Sequence, residues 1–222
     1  FQQPPVIQAT FKDAKGQTTT FETDAIGRVT KQIDPLTRTT LIERDPQGNP
    51  ITITRPNGAI TTMTYDAKGN LLTSTEQSIA ATTSFTYEPV FNQVTSIKDP
   101  RNNTTTIAYD AKGNPTTITD ADNKVTRFTY DSRGLLLTST DPTLHEIRFT
   151  HDAVGRLLTT TDPLNRTTTL TYDNAGNVAT SKDHLNRITT FEYDAKNRLT
   201  KVTAPLAGQT VYTYAGHGHL LP

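Results

Sequence analysis

Apolar residues in this chain recur in short alternating runs and never in long blocks. In the run Thr167–Tyr172, threonines alternate with Leu170 and Tyr172 on what would be one face of a strand, since side chains repeat with period two. Laying the chain over itself gives three columns on that face. The central column is Phe21, Ile42, Met63, Phe85, Ile107, Phe128, Phe149, Leu170, Phe191 and Tyr212. Two residues earlier stand Thr19, Thr40, Thr61, Thr83, Thr105, Thr126, Ile147, Thr168, Thr189 and Thr210. Two residues later stand Tyr65, Tyr87, Tyr109, Tyr130, His151, Tyr172 and Tyr193, at steps of 22, 22, 21, 21, 21 and 21. Arg44 and Thr23 continue that last column backwards and Tyr214 continues it forwards. A fixed period of this length marks a repeat array.

Each period divides at two turns. Asp162 to Asp173 is 11 residues and Asp173 to Asp183 is 10. Each half opens with aspartate, often followed by proline or alanine, with glycine or asparagine in the fourth place, as in DAKGN at 66–70 and DHLNR at 183–187. Aspartate and proline favour a type I turn, and the fourth residue tolerates the left-handed conformation of a bulged hairpin connection. About five residues per half remain for a strand, so the pattern predicts an antiparallel meander of roughly twenty short strands. The intervals Glu76–Glu88 and Glu88–Asp99 are each one residue longer than their equivalents, which predicts a bulge or bent corner across 76–99. The partner strands are harder to read: an apolar residue such as Val29, Leu71, Leu157 or Val178 is followed by threonine, serine and lysine.

Composition agrees with a sheet that has little core. Hydrophobic residues make up 33% of the 222, below the roughly 45–50% apolar share usual in globular domains. Threonine fills the deficit, and threonine favours strands rather than disorder. Lys+Arg and Asp+Glu are both 22, and without a basic patch nucleic acid is not an expected partner. No run is long enough to predict a membrane-spanning helix. Cysteine is absent, which excludes disulfides, thiolate metal sites and a cysteine nucleophile, and which suits export.

The residues YDxxGN/R, followed about ten residues later by DP and then TxFxYD, resemble the YD repeats of the Rhs family. That family includes bacterial Rhs and wall-associated polymorphic toxins, the C components of insecticidal toxin complexes, and the teneurins. The matching residues are Tyr65, Asp66 and Gly69; Tyr87; Tyr109, Asp110 and Gly113; Tyr130, Asp131 and Gly134; Asp152 and Gly155; Tyr172, Asp173 and Gly176; and Tyr193 and Asp194. The resemblance runs from about Thr10 to Tyr214. It implies an all-β fold of tandem 21-residue repeats, a continuous antiparallel meander spiralling as part of a hollow shell. In the bacterial members such a shell holds a toxic C-terminal domain until delivery. The implied partners are a toxin payload or the rest of the same shell, with secretion-system or cell-surface components beside them. The implied location is secreted, extracellular or at the cell surface.

The family closes its shell with an aspartyl self-cleavage segment carrying two DPxG motifs. Here DPQG occurs once, at 45–48, and DAKG stands at 66–69, so Asp45 reads as a turn residue. Residues 1–222 are expected to form one array of about nine to ten repeats. Both ends read as cut within a repeat, so the array is expected to belong to a longer shell or to be covered by another segment.

Candidate chemistry is sparse. Stacked aspartates could suggest a calcium ladder, but equivalents lie two strands, roughly 9–10 Å, apart, and capping of their own turns is the favoured reading. The tyrosine column could serve as a stacking platform for glycans or act as a structural ladder. The histidines show ligand spacing only in GHGH at 216–219, and His151 reads as a packing substitute within the tyrosine column. No nucleophile elbow, phosphate loop or HExxH motif occurs. The sequence therefore predicts no enzyme, no catalytic residue, no metal and no cofactor. The alternative to a shell segment is an extracellular adhesive array that binds glycan or protein.

Overall fold

A computed structural model describes residues 7–215; the GHGH histidines, His217 and His219, lie outside the described residues. Twenty strands and one short 3-10 turn make up the regular structure among the described residues. Contacts divide the chain into two units: Phe1–Ala108 with Thr119–Asn123, and Tyr109–Ile118 with Lys124–Pro222.

In the first unit, strands from Ile7–Lys12 to Thr104–Tyr109 pair antiparallel with their sequence neighbours. In the second unit, strands from Val125–Tyr130 to Gln209–Val211 do the same. The all-β meander expected from the spacing of the turns is therefore the fold. It forms because each turn carries its own hydrogen bonds and each strand is near the modal length for a half-buried face.

The turns are built alike on both sides of the meander. At 66–70 the Gly69 N–H donates to the Asp66 carbonyl at 3.1 Å, and the Asp66 N–H donates to the Asn70 carbonyl at 3.0 Å. Asp66 Oδ1 then accepts the N–H groups of Lys68 and Asn70 at 2.8 and 2.9 Å. The fourth residue is left-handed, as with Gly69 at φ 86° and Asn186 at φ 60°. At the Tyr-Asp turns the register then shifts by one residue, as between Thr64 and Tyr65 or between Thr171 and Tyr172. This is the bulge that a three-residue connection requires. The two extra residues read from the sequence sit in the 3-10 turn Gln77–Ile79, closed by left-handed Ala80, and in the longer loop from Glu88 to Gln93.

Among the described residues no hydrophobic side chain is buried, and the single buried residue is Thr61, at 9% exposure. The central apolar column is only half-buried. Its cross-strand partners explain why: Leu170 faces Ser181, Phe149 faces Thr160 and Phe128 faces Ser139. The opposite face is held by hydroxyl pairs recurring nine residues apart. These are Thr64–Thr73 at 2.6 Å, Thr129–Thr138 at 2.7 Å, Thr150–Thr159 at 2.7 Å and Thr171–Thr180 at 2.6 Å. Ion pairs replace them at Lys31–Glu22 and Lys201–Glu192, at 3.1 and 3.0 Å. Each such cross-strand pair contributes roughly 0.2–1 kcal/mol, so cohesion comes from many small, evenly distributed contributions.

Candidate functional site

The residues singled out by the sequence gather along the Tyr-Asp side of each unit's sheet, where successive turns lie side by side. Tyrosines 65, 87, 109, 130, 172 and 193 end their strands there. Asp66, Asp110, Asp131, Asp152, Asp173 and Asp194 open the turns, and each accepts the turn's backbone N–H groups. Gly69, Gly113, Gly134, Gly155 and Gly176 occupy the left-handed place at φ from 84° to 92°.

Three kinds of contact lace successive turns together within each unit. The first is the tyrosine hydroxyl. Tyr65 donates to the Pro50 carbonyl at 2.9 Å, Tyr130 to Pro115 at 2.9 Å, Tyr172 to Leu157 at 2.7 Å, Tyr193 to Val178 at 3.1 Å and Tyr214 to Leu199 at 2.8 Å. In each case the acceptor lies fifteen residues earlier. Tyr87 spans sixteen residues to the Leu71 carbonyl. Burial pushes the Tyr65 and Tyr130 phenols up, with the carboxylates of Asp45 and Asp110 adding to the shift, so both remain protonated donors.

The second contact joins the fifth residue of a turn to the fourth residue of the next. A Cβ on Gly48 would meet Arg28 Nη1, and one on Gly155 would stand 3.6 Å from Leu135 Cδ1. Where the left-handed residue is asparagine, the contact becomes a hydrogen bond. Asn70 and Asn92 exchange two, at 2.7 and 2.6 Å, and Asn177 donates to Asn197 at 3.0 Å. The third contact is a cation at the third place of a turn, reaching carbonyls of the next turn. Lys68 meets Pro89 at 3.0 Å, Lys112 meets Ser132, and Arg133 meets Asp152 and Ala153 at 3.1 and 2.9 Å. The alternation of apolar residues signalled none of these second and third contacts.

Hydrogen bonds favour the charged form of the turn carboxylates Asp66 and Asp194. Side-chain bonding from Asn70, followed by its backbone N–H, lowers the Asp66 carboxyl. Arg198 does the same to Asp194 and brings it down to about 2, with Nη2 to Oδ2 at 2.6 Å. Arg156 and Arg198 also stack over Tyr172 and Tyr214, at 4.5 and 4.6 Å from the ring centroids.

Two members of the column differ. Arg44 donates through Nη2 to the Val29 carbonyl at 3.1 Å, doing with a guanidinium what the tyrosines do with a phenol. His151 Nδ1 is buried without a hydrogen-bond partner. Among the described residues no cluster of histidine, cysteine or acidic side chains could hold a metal ion. No helix among them is long and apolar enough to cross a membrane.

A teneurin YD-shell family model matches residues 1–168. The chain belongs to the teneurin YD-shell family. An RHS repeat model matches residues 175–209 of this YD-shell chain. Among solved structures it is similar to a chain in the crystal structure of TcdB2-TccC3-Cdc42, at 17% identity and a TM-score of 0.61, covering 97% of this chain and 15% of that one. A Photorhabdus luminescens Tc holotoxin pore carrying a TccC3 variant gives 17% identity and a TM-score of 0.60, covering 97% and 15%. TcdB2-TccC3 without its hypervariable C-terminal region gives 18% and 0.58, covering 92% and 13%. These likenesses concern the fold, and the YD-shell chain spans about 15% of the first two chains it resembles. Among curated proteins none matches the sequence.

Proposed function

We propose that this chain is a wall segment of a hollow YD shell that encloses or displays a C-terminal toxin payload, in a toxin exported by a bacterium. On this reading residues 1–222 are one array of about nine to ten repeats within a longer shell. The chain acts by excluding and retaining, not by catalysis, outside the cell that makes it. Its partners are the payload and the remaining wall.

The supporting observation is the combination of a coreless sheet with a laced edge. A sheet with no buried apolar side chain among its described residues is suited to separating two wet compartments, and unsuited to packing into a solid body. The lacing then supplies the cohesion that a core would otherwise give. A glycan-gripping tyrosine platform has less support. The phenolic hydroxyls are occupied by backbone carbonyls, and arginines cover two of the rings.

Electron imaging of the full-length parent protein tests the proposal. A shell with a low-density interior is the expected result, and a solid globule overturns it. A glycan array on the same preparation separates the adhesive reading, which requires selective binding that a plain wall lacks.

A further inference from the structure

The turn at 55–59, RPNGA, opens with arginine where most of its counterparts open with aspartate. It therefore lacks the carboxylate that accepts backbone N–H groups elsewhere. Asn57 supplies the substitute, its Oδ1 accepting the Ala59 N–H at 3.1 Å. Asn57 is followed by Gly58, and this is the one Asn-Gly pair in the sequence. Residues 55–58 are exposed. Gly58 stands at φ 82°, with open space where a Cβ would be, so no side chain crowds the residue that follows Asn57.

From this we infer that Asn57 is a self-modification site, where the chain loses ammonia and forms an isoaspartyl linkage. The Gly58 backbone nitrogen attacks Asn57 Cγ and a C–N bond forms. The bond from Cγ to Nδ2 breaks, and ammonia leaves with the proton from the Gly58 amide. The Ala59 N–H on Oδ1 polarises that carbonyl in the direction the attack requires. Water then opens the five-membered imide. Cleavage at Cγ gives aspartate, and cleavage at the main-chain carbonyl gives isoaspartate, with the chain now running through the former side chain. The net change is one water gained and one ammonia lost.

The isoaspartyl product carries an additional backbone carbon inside a turn closed by Gly58 N–H to the Arg55 carbonyl at 2.9 Å and Arg55 N–H to the Ala59 carbonyl at 2.8 Å. Both bonds lose their geometry. The new carboxylate also forms two residues along from Arg55, which bonds Glu76 Oε2 at 3.1 Å, and competes for it. The turn joining Pro50–Thr54 to Ile60–Tyr65 thus becomes an ageing mark, a substrate for isoaspartyl methyl transfer.

Incubation of the folded chain at neutral pH in oxygen-18 water, followed by peptide mass spectrometry and an isoaspartyl methyl-acceptance assay, tests this. Asn57 should convert at least about tenfold faster than Asn165 or Asn186, each followed by arginine, a difference on the order of 1.4 kcal/mol in barrier. Asn57→Gln should abolish the early methyl-accepting product. Equal rates at the three asparagines, or methyl acceptance that persists in Asn57→Gln, would overturn the assignment.

Discussion

Arg44 reaches the carbonyl of Val29 over the same fifteen residues that separate Tyr172 from the carbonyl of Leu157. One side chain is a cation and the other a phenol, yet both close the same gap between neighbouring turns. What the position requires is a long donor. Arg44→Tyr should therefore leave stability within about 0.5 kcal/mol, whereas Arg44→Ala should lose about 1–3 kcal/mol through the orphaned carbonyl. Thermal unfolding of the two variants, at roughly 2–4 °C per kcal/mol for this size, checks the pair. Equal losses would mean that the guanidinium matters for its charge and not for its reach.

His151 is the complementary case. It occupies a tyrosine position but leaves its Nδ1 without a partner. His151→Tyr should add the hydroxyl latch to the Leu136 carbonyl and raise stability by about 1 kcal/mol. A melting temperature unchanged or lowered would show that this joint is shaped for the smaller ring.

Leu144 holds a left-handed conformation, φ 68°, while 75% exposed. Asparagine occupies the equivalent place at 165 and 186 with φ 60° at both. Leu144→Asn should stabilise by about 1 kcal/mol, because a branched side chain in that region is strained and asparagine is tolerated. Chemical denaturation midpoints measure it, and a drop would reveal a compensating contact at the leucine.

Gly48 and Gly27 separate conformational from steric cost. Both are left-handed, at φ 98° and 84°, but only Gly48 has a guanidinium against it. Alanine at either should cost about 1–2 kcal/mol for the backbone alone. Gly48→Ala should cost more, since Arg28 must swing away, and the surplus should vanish in an Arg28→Ala background. A surplus that survives the double change would locate the clash elsewhere.

Acid should loosen the array over a defined interval. The carboxyls of Asp24, Asp34, Asp66, Asp110 and Asp173 sit below their ordinary 3.8, with Asp141 and Asp194 at about 2. A depressed carboxylate favours the folded state above its unfolded value, and that contribution disappears as pH falls through the folded one. From about pH 4.5, where the lowered Glu76 and Glu88 join in, down to about 2 the unfolded chain binds more protons, so stability should decline across this window. Circular dichroism against pH checks this, and a midpoint near neutrality would implicate other groups.

The strand count, the turn chemistry and the tyrosine column were legible because each is local: an Asp, a left-handed fourth residue and period-two alternation all fall within a dozen residues. The lacing was not. Arg28 against Gly48, or Arg133 against Asp152 and Ala153, joins residues some twenty positions apart. Sequence alone places such residues in the same column without saying that their side chains touch. Arg44 shows the same limit, since the repeat put it in the tyrosine column while its chemistry gave no sign that it bonds as a tyrosine does. The ion pairs at Lys31–Glu22 and Lys201–Glu192 sit where threonine pairs stand in other repeats, an exchange that only cross-strand register exposes.

Because no apolar side chain among the described residues is buried against a distant partner, each copy there answers only to the copies on either side of it. Duplicating or deleting one whole copy leaves every remaining junction chemically intact. A tandem gene of this kind can therefore gain or lose copies stepwise without redesigning a single joint.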